Sequence, residues 1–129
     1  MRVVQLLSIV VVCTLLSACY TVNKFVATKG TGQVKIYAQP KARVWPLAVD
    51  SVGAVGLQLR SVDDASNVIV AERSTSAFSY GERVAIFVED QPQQRTRVEV
   101  IVKRTVQTGV PSPDSAAAIF YYIDTQLKR

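Results

Sequence analysis

Two runs of alternating apolar residues, joined by a short polar loop, constrain the fold of this chain more than any other feature. An apolar residue at every second position places those side chains on one face of a β-strand. The loop over residues 90–94 is short enough to connect neighbouring antiparallel strands. The sequence therefore predicts a hairpin with one apolar face and one solvated face. The residues with this spacing are Val84, Ile86, Val88, Val98, Val100 and Val102 on the apolar side, and Arg97, Glu99 and Lys103 on the other.

Residues before this hairpin predict one strand, one helix and a second hairpin. Strand alternation covers 34–37 and ends before Pro40, and helical spacing follows over about 43–55, with the start expected near Val44. Pro46 is expected in the first turn, where its missing amide costs little. Strands near 57–62 and 68–71 form the second hairpin, and a polar loop is expected over 74–81. The predicted apolar face of the helix consists of Trp45, Ala48, Val52 and Val55.

The last segment has the signals of a helix that starts near residue 113. Ser112 is the expected cap and Pro113 the first helical residue, and apolar residues then recur at helical spacing. The order of elements becomes β-α-β-β-β-β-α. It predicts the α+β class: a two-layer sandwich, with a mainly antiparallel sheet and two helices packed on one face. The predicted stripe of this second helix is Ala116, Phe120, Ile123 and Leu127.

The chain begins with the pattern of a secretory signal. Arg2 precedes an apolar run over 3–16, and the small residues Ser17 and Ala18 follow. A transmembrane helix needs about 20 predominantly apolar residues, so this run is short for a permanent span. Cleavage as an ordinary signal peptide and retention as an uncleaved anchor both remain open at this point.

The four residues Leu16-Ser17-Ala18-Cys19 resemble the lipobox of bacterial lipoproteins. The resemblance implies that Cys19 is acylated and that cleavage falls before it. It divides the chain into a signal peptide over 1–18, a lipidated N-terminus and tether over 19–32, and one periplasmic domain over 33–129. Cys13 follows three valines and does not fit the motif. Tyr20 stands where such lipoproteins carry Asp when retained in the inner membrane, so the resemblance implies an outer-membrane protein that faces the periplasm.

The order of elements is similar to that of small, uncharacterised periplasmic lipoprotein domains. It also resembles, more loosely, the helix-over-sheet domains of lipoproteins accessory to outer-membrane assembly. These similarities concern the pattern over most of residues 33–129 and include no signature motif, so they say little about function.

Composition removes several classes of function. The chain contains no histidine, which excludes Ser-His-Asp triads, Cys-His pairs and histidine-based zinc sites. It also has no phosphate-binding glycine loop, nucleotide fingerprint or metal-ligand spacing. We therefore expect no enzyme, no cofactor, no metal and no catalytic residue. Nucleic acid is not an expected partner, because no binding motif is present and the signal directs the chain out of the cytoplasm.

Two groups of residues are candidates for binding. Phe78, Tyr80 and Glu82 form a possible contact loop, although the aromatic side chains could instead close one end of the sheet. Arg95 and Arg97 form a possible anion contact, which nearby carboxylates would partly neutralise.

These observations predict a lipid-anchored envelope protein that acts as an accessory or structural subunit through protein–protein contact. The expected partners are the membrane, through the N-terminal lipid, and an envelope protein that binds the sheet edges or the 78–82 loop. One alternative is a binding module for glycan, lipid or lipopolysaccharide, for which the net charge of +4 without the signal is favourable. Another alternative is an inhibitor of a lytic enzyme.

Overall fold

The computed structural model describes residues 28–76, 79–104 and 114–129, without the side chains of residues 75, 76, 79 and 80. Five strands and two helices lie within these ranges, in the predicted order. The elements are β1 (Gln33–Tyr37), α1 (Lys41–Ala54), β2 (Gln58–Asp63), β3 (Val68–Ser76), β4 (Ser79–Gln91), β5 (Arg95–Arg104) and α2 (Ser115–Leu127).

All strand pairs are antiparallel and form one sheet in the order β1-β5-β4-β3-β2. Strands β2 to β5 are consecutive neighbours, and β1 occupies the far edge beside β5. The predicted hairpin is confirmed: Val84 lies opposite Val102, and Val88 lies opposite Val98. Among the strands in the described residues, β1 and β2 are therefore the two edges of the sheet.

Both helices pack on the same face of the sheet, which confirms the two-layer α+β sandwich. The main core joins this inner face to the helices. It buries the alternating residues of β4 and β5 as predicted, except that Val102 is only partly buried. Each fully buried aliphatic side chain contributes about 1.5–3 kcal/mol, so this layer is the principal source of stability. Its helical members are Val44, Ala48, Val52, Ala116, Ile119 and Ile123.

Helix α1 begins at Lys41, three residues earlier than predicted. The Pro40 carbonyl accepts hydrogen bonds from Arg43 N at 2.9 Å and Val44 N at 3.2 Å, and these bonds close the first turn before Pro46. Pro46 consequently lies inside the helix on its exposed side, where water can satisfy the carbonyl that lacks a partner. Trp45 is half-buried against the core.

Helix α2 begins at Ser115, and its cap is Asp114 instead of Ser112. The Asp114 carboxylate accepts a hydrogen bond from Ala117 N at 3.1 Å, the standard interaction of an N-cap residue. Ser112 and Pro113 lie outside the described residues. The buried stripe includes Ile119, while Phe120 is only partly buried.

The polar loop expected over 74–81 is wrong. Strands β3 and β4 pair as far as Ser76 opposite Ser79, and Thr75 lies opposite Tyr80. Threonine and tyrosine favour strands, so pairing continues beyond the apolar part of each run.

The outer face of the sheet, opposite the helices, is buried where the sequence predicted solvation. Glu99 on this face is 0 % exposed. Alternation was correctly predicted there, but a polar residue in an alternating pattern can also be buried when its hydrogen bonds are satisfied. A second apolar cluster on this face consists of Val68, Val70, Ala85, Phe87 and Ile101.

Candidate functional site

Apolar side chains are exposed mainly on the two edge strands. Among the described residues, the exposed large aliphatic side chains are Val34 and Ile36 on β1 and Leu59 and Val62 on β2, each between 45 and 48 % exposed. The fifth exposed large hydrophobic residue is Tyr121 on α2. Edge strands also present unpaired backbone groups, so each edge combines hydrogen-bonding capacity with apolar surface.

The β1 edge is the more regular of the two. Val34 lies opposite Glu99 and Ile36 lies opposite Arg97, which places both aliphatic side chains on the outer face without interruption. Strand β2 shifts register between Leu59 and Ser61. An irregularity of this kind twists an edge strand and makes it a poorer template for pairing.

A polar cluster holds the chain that precedes β1 against the outer face. The Glu99 carboxylate accepts hydrogen bonds from Gly30 N at 2.6 Å, Gly32 N at 3.0 Å and Arg97 Nη2 at 2.8 Å. Lys29 forms an ion pair with Glu89. Residues 28–32, which the sequence assigned to a tether, are therefore bonded to β4 and β5.

The charge of Glu99 is compensated within this cluster. Burial alone would raise the pKa of Glu99, but the bonds from Gly32, Arg97 and Gly30 outweigh burial and hold the pKa below its ordinary value. A buried carboxylate with three donors is stabilised as the anion. Its position identifies Glu99 as the residue that fastens the N-terminal chain to the sheet.

The two arginines predicted to contact anions differ in their surroundings. The Arg97 guanidinium contacts Glu89 at 3.1 Å and Glu99 at 2.8 Å, so two carboxylates neutralise it, as the sequence indicated. Arg95 lies at the exposed start of β5, and its Nε donates to the Pro92 carbonyl at 3.2 Å. The structure therefore places Arg97 in an internal network and leaves Arg95 on the surface.

The predicted contact loop is part of the sheet. Glu82 lies in β4 on the face of the helices and is 6 % exposed, because it is two residues from Val84 and shares its orientation. Its carboxylate contacts Arg73 Nε at 3.2 Å and accepts a hydrogen bond from the Ser115 hydroxyl. Tyr80 is also in β4, although its side chain is not described, and Phe78 lies outside the described residues.

A cleft of about 480 Å³ opens where the starts of β1 and α2 meet the end of β5. Residues 31–33, 100–104 and 114–116 line it. Asp114 is the one carboxylate among these described residues, and it is the cap of α2. The cleft therefore offers no pair of carboxylates for acid–base chemistry in this part of the chain.

Within residues 28–76, 79–104 and 114–129, no group of three or more acidic or cysteine side chains could hold a metal ion. None of the helices in these ranges is long and apolar enough to cross a membrane. No family model matches the sequence, and a search of curated proteins finds no match.

Sequence reasoning missed the fastening of residues 28–32 to Glu99. The signal in the sequence was the pair of glycines Gly30 and Gly32. Because glycine has no side chain, it lets the backbone lie close to another strand. Gly32 lies with its Cα so close to β5 that a Cβ would be 2.5 Å from the Val100 carbonyl oxygen.

Cys19, the predicted site of acylation, lies outside the described residues.

Proposed function

We propose that this protein is a lipid-anchored component of the cell envelope that binds a partner protein through the β1 edge of its sheet. The observation that carries the proposal is the exposure of Val34 and Ile36 on β1, a regular strand that lies at the edge of the sheet formed by the described residues. An extended segment of a partner can add to such an edge, gaining backbone hydrogen bonds and contact with alternate side chains. No catalysis is required for this role, which is that of an accessory or structural subunit.

The charge on β1 supports this assignment. A lysine on an edge strand commonly prevents association, because its charge would have to be buried by an incoming strand. Lys35 is the charged residue at the centre of β1, and it forms an ion pair with Asp124 of α2. The ammonium group is thus directed to the helix layer, and the outer side of the edge is aliphatic.

The anchor follows from the lipobox resemblance of Leu16-Ser17-Ala18-Cys19. Acylation of Cys19 with two or three chains would hold the protein on its membrane, since a single chain binds only weakly. The residue after the cysteine, Tyr20, supports a location on the periplasmic face of the outer membrane.

Crosslinking in living cells tests the partner. A photoreactive amino acid is placed at position 36 of the full-length protein and, as a matched control, at Asp50 on the exposed side of α1. We expect one stoichiometric protein adduct from position 36 and none from position 50. The adduct from position 36 should be lost on Val34→Pro, because proline removes a backbone N–H donor and rigidifies the edge strand. Identical adducts from both positions, or lipid and glycan adducts alone, would contradict the proposal.

A separate experiment tests the anchor. In Cys19→Ala, acylation cannot occur, so we expect loss of signal processing at this site and release from the outer-membrane fraction. Cys13→Ala serves as the control, because that residue does not fit the lipobox. Unchanged processing and membrane association of Cys19→Ala would exclude the lipoprotein assignment.

A further inference from the structure

The β1 edge is symmetric about its central residue. The strand has five residues, and its two exposed aliphatic side chains, Val34 and Ile36, stand on either side of Lys35. When two β1 strands pair antiparallel with Lys35 at the centre, all five residues are paired, and Val34 lies opposite Ile36 of the second copy. Each exposed aliphatic side chain then contacts another across the junction, the kind of cross-strand pair that stabilises a sheet. The apolar side of this edge is therefore complementary to itself.

The charges at this edge also complement a second copy. Lys35 forms an ion pair with Asp124 of α2, and both side chains remain partly exposed, so a second copy can reach them. Two lysines directly opposite each other are unfavourable by themselves. Each lysine, however, brings the Asp124 of its own chain to the same junction, and the two positive and two negative charges sum to zero. The nearest charges of β5, Arg97 and Glu99, are already paired with each other.

The same symmetry places the start of both described chains on one side of the joined sheet. Residues 28–32 lie against the outer face, where Gly30 and Gly32 donate to Glu99. The two-fold axis that relates antiparallel neighbours is perpendicular to the sheet, so the outer faces of the two copies stay on the same side. Both chains therefore enter their domains from that side. Two acyl anchors on such a pair can occupy the same membrane.

We propose that the occupant of the β1 edge is a second copy of this chain, paired antiparallel through β1 with the two Lys35 residues opposite each other. The five described strands of each copy then form one continuous sheet, with the described helices of both copies on the same face. This inference rests on the proposed use of the β1 edge as a contact surface and names its partner. Five residue pairs are a small contact, but attachment to one membrane raises the effective concentration of the two edges. We therefore expect the pair in the membrane-anchored protein.

Disulfide formation in the full-length protein tests this register. In a Cys13→Ser background, Lys35→Cys places two thiols directly opposite each other, with Cα atoms about 4.5–5.5 Å apart, which suits a disulfide. The matched control is Gln33→Cys on the same face of the same strand. Two Gln33 residues would be about 14 Å apart in this register, beyond the reach of a disulfide. Under mild oxidation of membranes, we expect at least about tenfold more covalent dimer from Lys35→Cys than from Gln33→Cys.

Two outcomes of this experiment would overturn the proposal. Equal yields of dimer from Lys35→Cys and Gln33→Cys would show random collisions in the membrane instead of a defined register. A Lys35→Cys protein that stays monomeric while it remains folded would show that the two β1 strands do not meet at their centres.

A second measurement keeps the Lys35–Asp124 pair intact. One copy of the full-length protein carries a photoreactive amino acid at position 36, and a co-expressed copy without it carries a different C-terminal tag. We expect an adduct that contains both tags and maps to residues 30–35 of the second copy, because Val34 lies opposite position 36. The control places the photoreactive group at Leu59 on the β2 edge and should give no such adduct.

This measurement separates failure of the inference from failure of the proposed function. An adduct from position 36 with a different protein, and none with the second copy, would overturn the inference and leave the β1 edge as a binding surface for that protein. The absence of any protein adduct from position 36 would contradict both.

Discussion

The Arg73 guanidinium lies 3.2 Å from the Glu82 carboxylate, and together these two residues connect the ends of both helices. Arg73 donates to the carbonyls of Val55 at 3.2 Å and Gly56 at 3.3 Å, immediately after α1. Glu82 accepts from Ser115, the first residue of α2. A cation at a helix C-terminus and an anion at a helix N-terminus each complement the helix dipole. The pair therefore helps to fix both helices on the sheet.

We expect Arg73→Met to destabilise the protein by about 1.5–3 kcal/mol, because Glu82 would remain buried without its cationic partner. Arg73 is 29 % exposed, so the loss should be smaller than for a fully buried pair. The matched control is Arg60→Met, which removes the exposed Arg60–Glu72 pair and should cost less than about 1 kcal/mol. Equal losses in urea denaturation of the two variants would contradict this interpretation.

Gly32 and Gly53 should respond in opposite directions to substitution by alanine. At Gly32 a Cβ would collide with the Val100 carbonyl oxygen at 2.5 Å, which requires the backbone of residues 28–32 to move from the sheet. At Gly53, within α1, nothing lies within 4 Å of the added atom. We expect Gly32→Ala to lower stability by about 1–3 kcal/mol and Gly53→Ala to raise it by about 0.5–1 kcal/mol. Thermal unfolding measures both, and stabilisation by Gly32→Ala would show that residues 28–32 do not pack as described.

The elements predicted correctly from the sequence are those that the periodicity of apolar residues defines by itself. Val84 and Val98 recur in strict alternation with their neighbours, and this spacing determined both the strands and the face that packs under the helices. The amphipathic spacing around Ala48 and Ile123 likewise identified both helices. These patterns report on local geometry, which is why they could be read without a structure.

The features that sequence did not predict depend on contacts between distant segments. Glu99 has the surface pattern of a solvated residue, yet it is buried because Gly30 and Gly32, almost seventy residues away, donate to it. Glu82 was assigned to a loop because aromatic and polar residues surround it, whereas pairing of β3 with β4 extends the strand through it. From the sequence, sheet edges in general could be predicted as contact surfaces, but not the β1 edge in particular. Which side chains β1 exposes depends on its register with β5, and the sequence does not show that register.

Capping of α2 provides a direct test of the structure against the sequence-based expectation. Asp114 accepts a hydrogen bond from Ala117 N, so Asp114→Ala should cost about 0.5–2 kcal/mol. Ser112→Ala should change the free energy of unfolding by less than about 0.5 kcal/mol, because the cap position is occupied by another residue. Chemical denaturation of both variants decides the assignment. A larger loss from Ser112→Ala would restore Ser112 as the cap.

Stability in acid should depend on Glu99. Burial opposes the lowered pKa of Glu99, but the donors Gly32, Arg97 and Gly30 outweigh it, so the carboxylate binds a proton less readily in the folded than in the unfolded chain. Its contribution is therefore fully present above the unfolded pKa, about 4.3, and is lost as pH falls through the lower folded value.

The variant Glu99→Gln removes this titration. We expect a loss of about 1.5–3 kcal/mol at pH 7 and a shallower decline of stability between about pH 5 and pH 3. The matched control is Glu72→Gln, which alters an exposed pair with Arg60 and should cost less than about 1 kcal/mol at pH 7. Unfolding measured at several pH values compares the slopes. A Glu99→Gln variant with the same acid decline as the unaltered chain would show that the ionisation of Glu99 does not hold residues 28–32 on the sheet.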